Sequence, residues 1–165
     1  MSSPQPIYRA PMRSREHDAP AGAGADHALA HGLVGIGGAL PTPPRTLDEA
    51  IEAAAETHDA KTARMLSNFA DLAEGSLVWT RSADGAYHLG RLAGPWRYDD
   101  SPAARAVGIH HVRPATWVDR PFGEDEVPPA VSRTFARGGR NFQRTHDERA
   151  ERQSASLWER HGPAG

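Results

Sequence analysis

Residues 76–93 read SLVWTRSADGAYHLGRLA, and their reading decides the fold. Two runs of β-branched, aromatic and aliphatic residues flank the turn sequence Ser82-Ala83-Asp84-Gly85. That pattern predicts a β-hairpin, with strands over 76–81 and 86–93. Alternation puts Tyr87, Leu89 and Arg91 on one face and His88, Gly90 and Leu92 on the other. Gly90 in mid-strand marks a bulge, a bend or close packing. Between Trp79 and Val78 one side chain is expected to face outward, or to lie under a helix.

The sheet continues on both sides of the hairpin. PWRYD (95–99) extends it after a Gly-Pro kink, and DSPAARAVG (100–108) reads as a loop or short helical turn. IHHVRPATWV (109–118) reads as a further strand, in which Pro114 implies an edge or a bulge. Upstream, LVGIGG (33–38) is a short apolar strand that ends in glycines. A dinucleotide loop would need a helix directly after those glycines, and ALPTPP follows instead.

Thr46 and Glu49 form a capping box that starts helical sequence running to Gly75. The stripes Leu47, Ile51, Ala54, Ala55 and Met65, Leu66, Phe69, Leu72 are joined by the weaker Thr57-His58-Asp59. One long helix or two with a break near 57–60 is expected. Residues 127–139 carry Pro at the start and Gly at the end of a short helix. Residues 138–144 then connect to a last helix, expected to start at a Thr145 capping box and to run to about His161. Its apolar face of Ala150, Ser154, Leu157 and Trp158 is thin, which predicts light packing or a protein partner.

Bulk composition bounds the rest. The chain has 165 residues, 38% of them hydrophobic, with 16 glycines and 14 prolines, so loops take a large share. There is no cysteine, which excludes disulfides and thiolate zinc sites. No apolar run reaches membrane-spanning length, and the N-terminus lacks the apolar stretch of a signal peptide. A cytoplasmic location without membrane contact is the expectation. Residues 1–31 are aperiodic and rich in Ala, Gly and Pro, and read as a disordered tail. His27 and His31 have metal-ligand spacing but no third ligand, so no metal is expected.

Net charge is −2, so no overall basic field points to an anionic partner. The distribution is uneven. Residues 46–76 hold seven acids against Lys61 and Arg64, while 129–146 hold Arg133, Arg137, Arg140 and Arg144 and no acid. Those four arginines form a candidate phosphate track. No Ser-His-Asp order stands out, and the adjacent carboxylates Asp99 and Asp100 are expected to point apart. A binding module is expected rather than an enzyme, and no cofactor.

The segments GIG (35–37), GSLVWTR (75–81), YHLGRLAGPWRY (87–98) and HHVRPATWV (110–118), in this order around one helix, resemble PUA-like domains of the EVE type, as found in bacterial modification-dependent restriction systems. The resemblance covers about residues 33–120. Ser76 stands where the family commonly has aspartate, and Val34 and Gly38 flank Gly-Ile-Gly where it often has tryptophan. The resemblance implies a small barrel with helices at its side that binds DNA or RNA and holds a modified or flipped base in an aromatic pocket. The pocket residues it implies are Gly35, Ile36, Gly37, Trp79, Trp96, Tyr98, His111, Arg113 and Trp117.

The expected architecture is therefore α+β: a small, mostly antiparallel sheet or barrel flanked by helices. Its parts would be a tail (1–31), a PUA-like core (32–125) and a C-terminal helical extension (126–165). Two other functions stay open. One is a small-molecule sensor or enzyme using the same pocket, with His111 or Asp99 as its polar group. The other is a structural or interaction protein.

Overall fold

A computed structural model describes residues 5–13 and 19–163. Seven strands and six helices alternate irregularly. They are β1 (Ile7–Arg9), α1 (Ala23–His31), β2 (Leu33–Ile36), α2 (Leu47–Thr57), α3 (Ala60–Asp71), β3 (Leu77–Arg81), β4 (Tyr87–Leu92), β5 (Arg97–Tyr98), α4 (Pro102–Val107), β6 (His111–Trp117), α5 (Pro129–Ala136), β7 (Gln143–Thr145) and α6 (Glu148–His161). A 3-10 turn at Glu124–Glu126 precedes α5. The fold is α+β, with one curled, half-barrel mixed sheet flanked by helices.

The strand order is β2-β6-β4-β3-β1-β7, and β5 pairs beside β4's place on β6. All pairs are antiparallel except β1 with β3. The hairpin forms as its sequence predicts, with Trp79 opposite Leu89. Gly85 closes the turn at φ 90° and donates its N–H to Ser82. Among the described residues no helix is long and apolar enough to cross a membrane.

Both faces of the sheet are covered, which settles the choice between Trp79 and Val78. Each is buried, because alternate residues feed two separate cores. Leu77, Trp79, Tyr87 and Leu89 pack with Phe122 and Val131 under α5 and α6. Val78 and Leu92 pack with Leu66, Phe69, Ile109 and Val112 under α1, α2 and α3. Gly90 is the close approach the sequence signalled. A Cβ there would lie 2.6 Å from the Trp117 ring.

Several expectations need correction. Residues 5–13 and 19–31 are not a disordered tail. Ile7–Arg9 is an interior strand between β3 and β7, fixed by Ala10 N–H to Trp79 C=O and Thr80 Oγ1 to Ala10 C=O. Ala25 and Ala28 of α1 are fully buried. Residues 1–4 and 14–18 of that stretch lie outside the described residues. Residues 126–163 are more than a helical extension, since the connector contains β7, which completes the sheet beside β1. Pro114 lies in an interior strand. It sits where β6 changes partner from β5 to β4, against Gly94, so its missing N–H leaves no ladder gap.

The helix starts follow capping chemistry. Thr46 accepts from Glu49 N–H, while the Glu49 carboxylate reaches Arg45 N–H rather than closing the box on Thr46. The 46–75 stretch is two helices, and Asp59 caps the second through Thr62 N–H. The last helix is capped by Asp147, not Thr145, because Thr145 belongs to β7. That helix packs firmly, with Ser154 fully buried.

Candidate functional site

The strand β2 is one edge of the sheet and β7 the other. Gly35–Gly38 at the end of β2, Pro11–Arg13 after β1, the first turn of α3 and Arg140–Phe142 before β7 enclose a cavity of about 70 Å³. Gly35, Ile36 and Gly37, which the resemblance implied for a pocket, line this cavity. Gly35 serves packing as well, since a Cβ there would lie 2.3 Å from the Ile109 side chain.

The cavity lining is cationic. Arg13, Lys61 and Arg140 reach it from three separate segments, and among the described residues Asp59 is its one carboxylate. Asp59 is engaged at 2.7 Å with Thr62 N–H. Hydrogen bonds from Thr62, aided by nearby His58 and Lys61 and opposed by burial, hold it below the usual carboxylate range. Lys61 and Arg13 were not singled out from the sequence. Lys61 sits in the acidic stretch 46–76, and only the phase of α3 turns it towards the cavity.

Trp96 and Tyr98 are near the cavity's backbone but do not line it. Trp96 Nε1–H donates to His111 Nδ1 at 3.2 Å, and the two rings stack at 6.1 Å. His111 Nε2–H in turn donates to the Gly38 carbonyl at 2.9 Å. Tyr98 stacks on His110 at 5.4 Å, and its hydroxyl accepts Leu40 N–H. This cluster holds the Gly38–Leu40 turn behind the cavity. Its rings pack on one another and against the first core, with Trp96 and Tyr98 half-buried.

His111 is 1% exposed and neutral. Desolvation lowers its pKa to about 4, with His110 and His58 pushing the same way and the Gly38 hydrogen bond opposing. Both ring nitrogens are used, so His111 offers no group to a ligand. Asp99 is likewise engaged, accepting Ser101 N–H at 3.0 Å.

Three other implied pocket residues are structural. Trp79 is 1% exposed, donates to Ser154 Oγ at 3.0 Å and lies edge-on to Phe122. Arg113 is buried and binds carbonyls of Gly94, Phe69 and Leu72, which closes the C-terminus of α3. Trp117 covers Gly90 and donates to the Leu33 carbonyl at 3.1 Å.

The four arginines separate. Arg140 lines the cavity, and Arg144 lines a groove beside it while pairing with Glu151 at 3.4 Å. Arg133 and Arg137 are exposed on and just after α5 and line neither. The residue that positions this wall is Arg9, which carried no sequence signal. It is buried and donates to Thr134, to the Asn141 carbonyl and to Gln143 Oε1, with no carboxylate among these partners.

A Ser–His contact occurs at the hairpin turn, where His88 Nε2 lies 3.2 Å from Ser82 Oγ. The single hydroxyl proton of Ser82 is directed to the Asp84 carboxylate, so His88 is placed to donate to Ser82 and not to act as its base. His27 and His31 rings lie 4.3 Å apart, and His31 Nδ1–H donates to the His27 carbonyl. Compared with family models, curated proteins and solved structures, the chain finds no match.

Proposed function

We propose that the chain is a nucleic-acid-binding module, with the glycine-edged cavity taking a base or sugar and its cationic rim taking phosphate. The observation that carries this reading is the convergence of Arg13, Lys61 and Arg140 on one cavity in a protein of net charge −2. Like charges gathered from three segments repel one another, and an anionic ligand offsets that repulsion. Lys61 is the sole lysine in the chain.

The resemblance of residues 33–120 to PUA-like, EVE-type domains supports the same reading. A flipped or modified base is the group such a cavity would admit. The rigid Trp96–His111–Gly38 relay would keep the edge of the cavity in shape. His111, Asp99 and Ser82 each take part in internal hydrogen bonds, which favours a binding role over catalysis by these groups. The small size of the cavity favours one second reading, a sensor of a small anionic metabolite.

Fluorescence anisotropy with short single- and double-stranded DNA and RNA tests the proposal. Three phosphate contacts on a single strand predict about a 20-fold loss of affinity between about 50 and 200 mM salt. Lys61→Ala and Arg140→Ala should each weaken binding and flatten that salt slope. Absence of binding at the lower salt, or equal binding by both variants, refutes it.

A further inference from the structure

We infer that the ligand of this site is a strand and not a single nucleotide, and that its neighbouring residues lie in a second groove along α3. This rests on the nucleic-acid reading above.

The groove adjoins the cavity and is larger, about 440 Å³. Lys61, Met65, Asn141 and Phe142 line both, so the two spaces lie side by side along one wall. On the helix side, Lys61, Arg64, Asn68 and Leu72 follow at three- and four-residue steps and form one stripe. From Lys61 to Leu72 the stripe runs about 16 Å, room for about three to five nucleotides.

The chemistry of the groove suits a polyanion with flat side groups. Among the described residues no carboxylate lines it, although residues 46–76 carry seven acids. Arg64 and Asn68 are exposed on one wall, and Arg144 on the other. Arg144 is held by Glu151 at 3.4 Å with 43% of its side chain exposed, so a phosphate can compete for it. Between the walls lies Phe142, stacked on Tyr8 at 5.4 Å and edge-on to Phe69 at 5.2 Å. That packing fixes an apolar floor against which a base can rest. A lone nucleotide would use the cavity and leave this acid-free surface empty.

The test compares a mononucleotide mixture with mixed-sequence single-stranded DNA and RNA of about three, six and nine nucleotides. Competition anisotropy on the full chain should show affinity rising at least about tenfold from one to six residues, then levelling. Arg64→Ala and Asn68→Ala replace exposed helical residues with a good helix former, so the fold is retained. Each should weaken the six-residue ligand several-fold and leave the mononucleotide unchanged. Arg64→Ala should also lower the salt slope by about 0.7 for the longer ligand. Mononucleotides that bind as tightly as the longer strands, with both variants silent, overturn the inference and leave the proposed function standing. If no length binds the unaltered chain, the nucleic-acid reading itself fails and takes this inference with it.

Discussion

Acidification should destabilise this protein through His111 before its carboxylates titrate. The ring is buried and neutral, with a pKa of about 4 against 6.5 in an unfolded chain. Because the folded value is the lower one, the unfolded state takes up the proton first. The contribution of His111 is complete above about pH 6.5 and is lost as pH falls towards 4. The two values differ enough to remove about 3 kcal/mol across that window. For a chain of this length that is about 6–12 °C in Tm. The geometry gives the cause. Nδ1 accepts the Trp96 indole N–H, and protonation would set two donors against each other at 3.2 Å. Urea unfolding followed by tryptophan fluorescence, repeated from about pH 7.5 down to about pH 4.5, reads the loss directly. His111→Gln removes the titrating group. That variant should be less stable at neutral pH but much flatter across the window. A residual slope will remain from His27 and His88, which burial also holds below the usual histidine value. The same pH profile in both proteins would refute the reasoning.

Three further outcomes follow from packing and hydrogen bonding. Ser154→Ala strands the buried Trp79 indole N–H and should cost about 1–3 kcal/mol in chemical unfolding. Gly90→Ala pushes a Cβ into the Trp117 ring and should cost a similar amount, about 1–3 kcal/mol, with a blue- or red-shifted tryptophan emission as its signature. Arg9→Met removes every hydrogen bond from Arg9 to Thr134, Asn141 and Gln143 and leaves their acceptors without this donor. It should destabilise the fold by about 3 kcal/mol or more and raise amide exchange over 139–143.

The hairpin was legible because period-two alternation and a Ser-Ala-Asp-Gly turn are local signals. What lay above each face was not. Period two cannot tell a half-exposed strand from one covered twice, and Trp79 was ambiguous for that reason. The first strand was missed because Ile7-Tyr8-Arg9 is three residues long between prolines at 6 and 11. Its parallel pairing with β3 depends on residues about 70 positions away, for which no local pattern exists. The site divided in the same way. The cavity residues Gly35–Gly37 and Arg140 belong to a glycine-rich strand end and an acid-free arginine run that the sequence shows. Trp96 and Tyr98 were implied as pocket residues by the resemblance alone. The partners that draw them inward, His110 and His111, come from another strand. Lys61 and Arg13 gained meaning only when α3 and the exit of β1 met at the cavity.

The central claim is that the cavity at the end of β2, and not the aromatic turn at 94–100, receives the ligand. Amide-resolved NMR of the labelled protein, titrated with a short single-stranded oligonucleotide at low salt, tests it most directly. The largest shifts should fall at Gly35–Gly38, Lys61, Thr62 and 140–142, saturating together, with Arg97 and Arg133 still. Shifts centred on Trp96 and Arg97, or on Arg133 and Arg137, would contradict it.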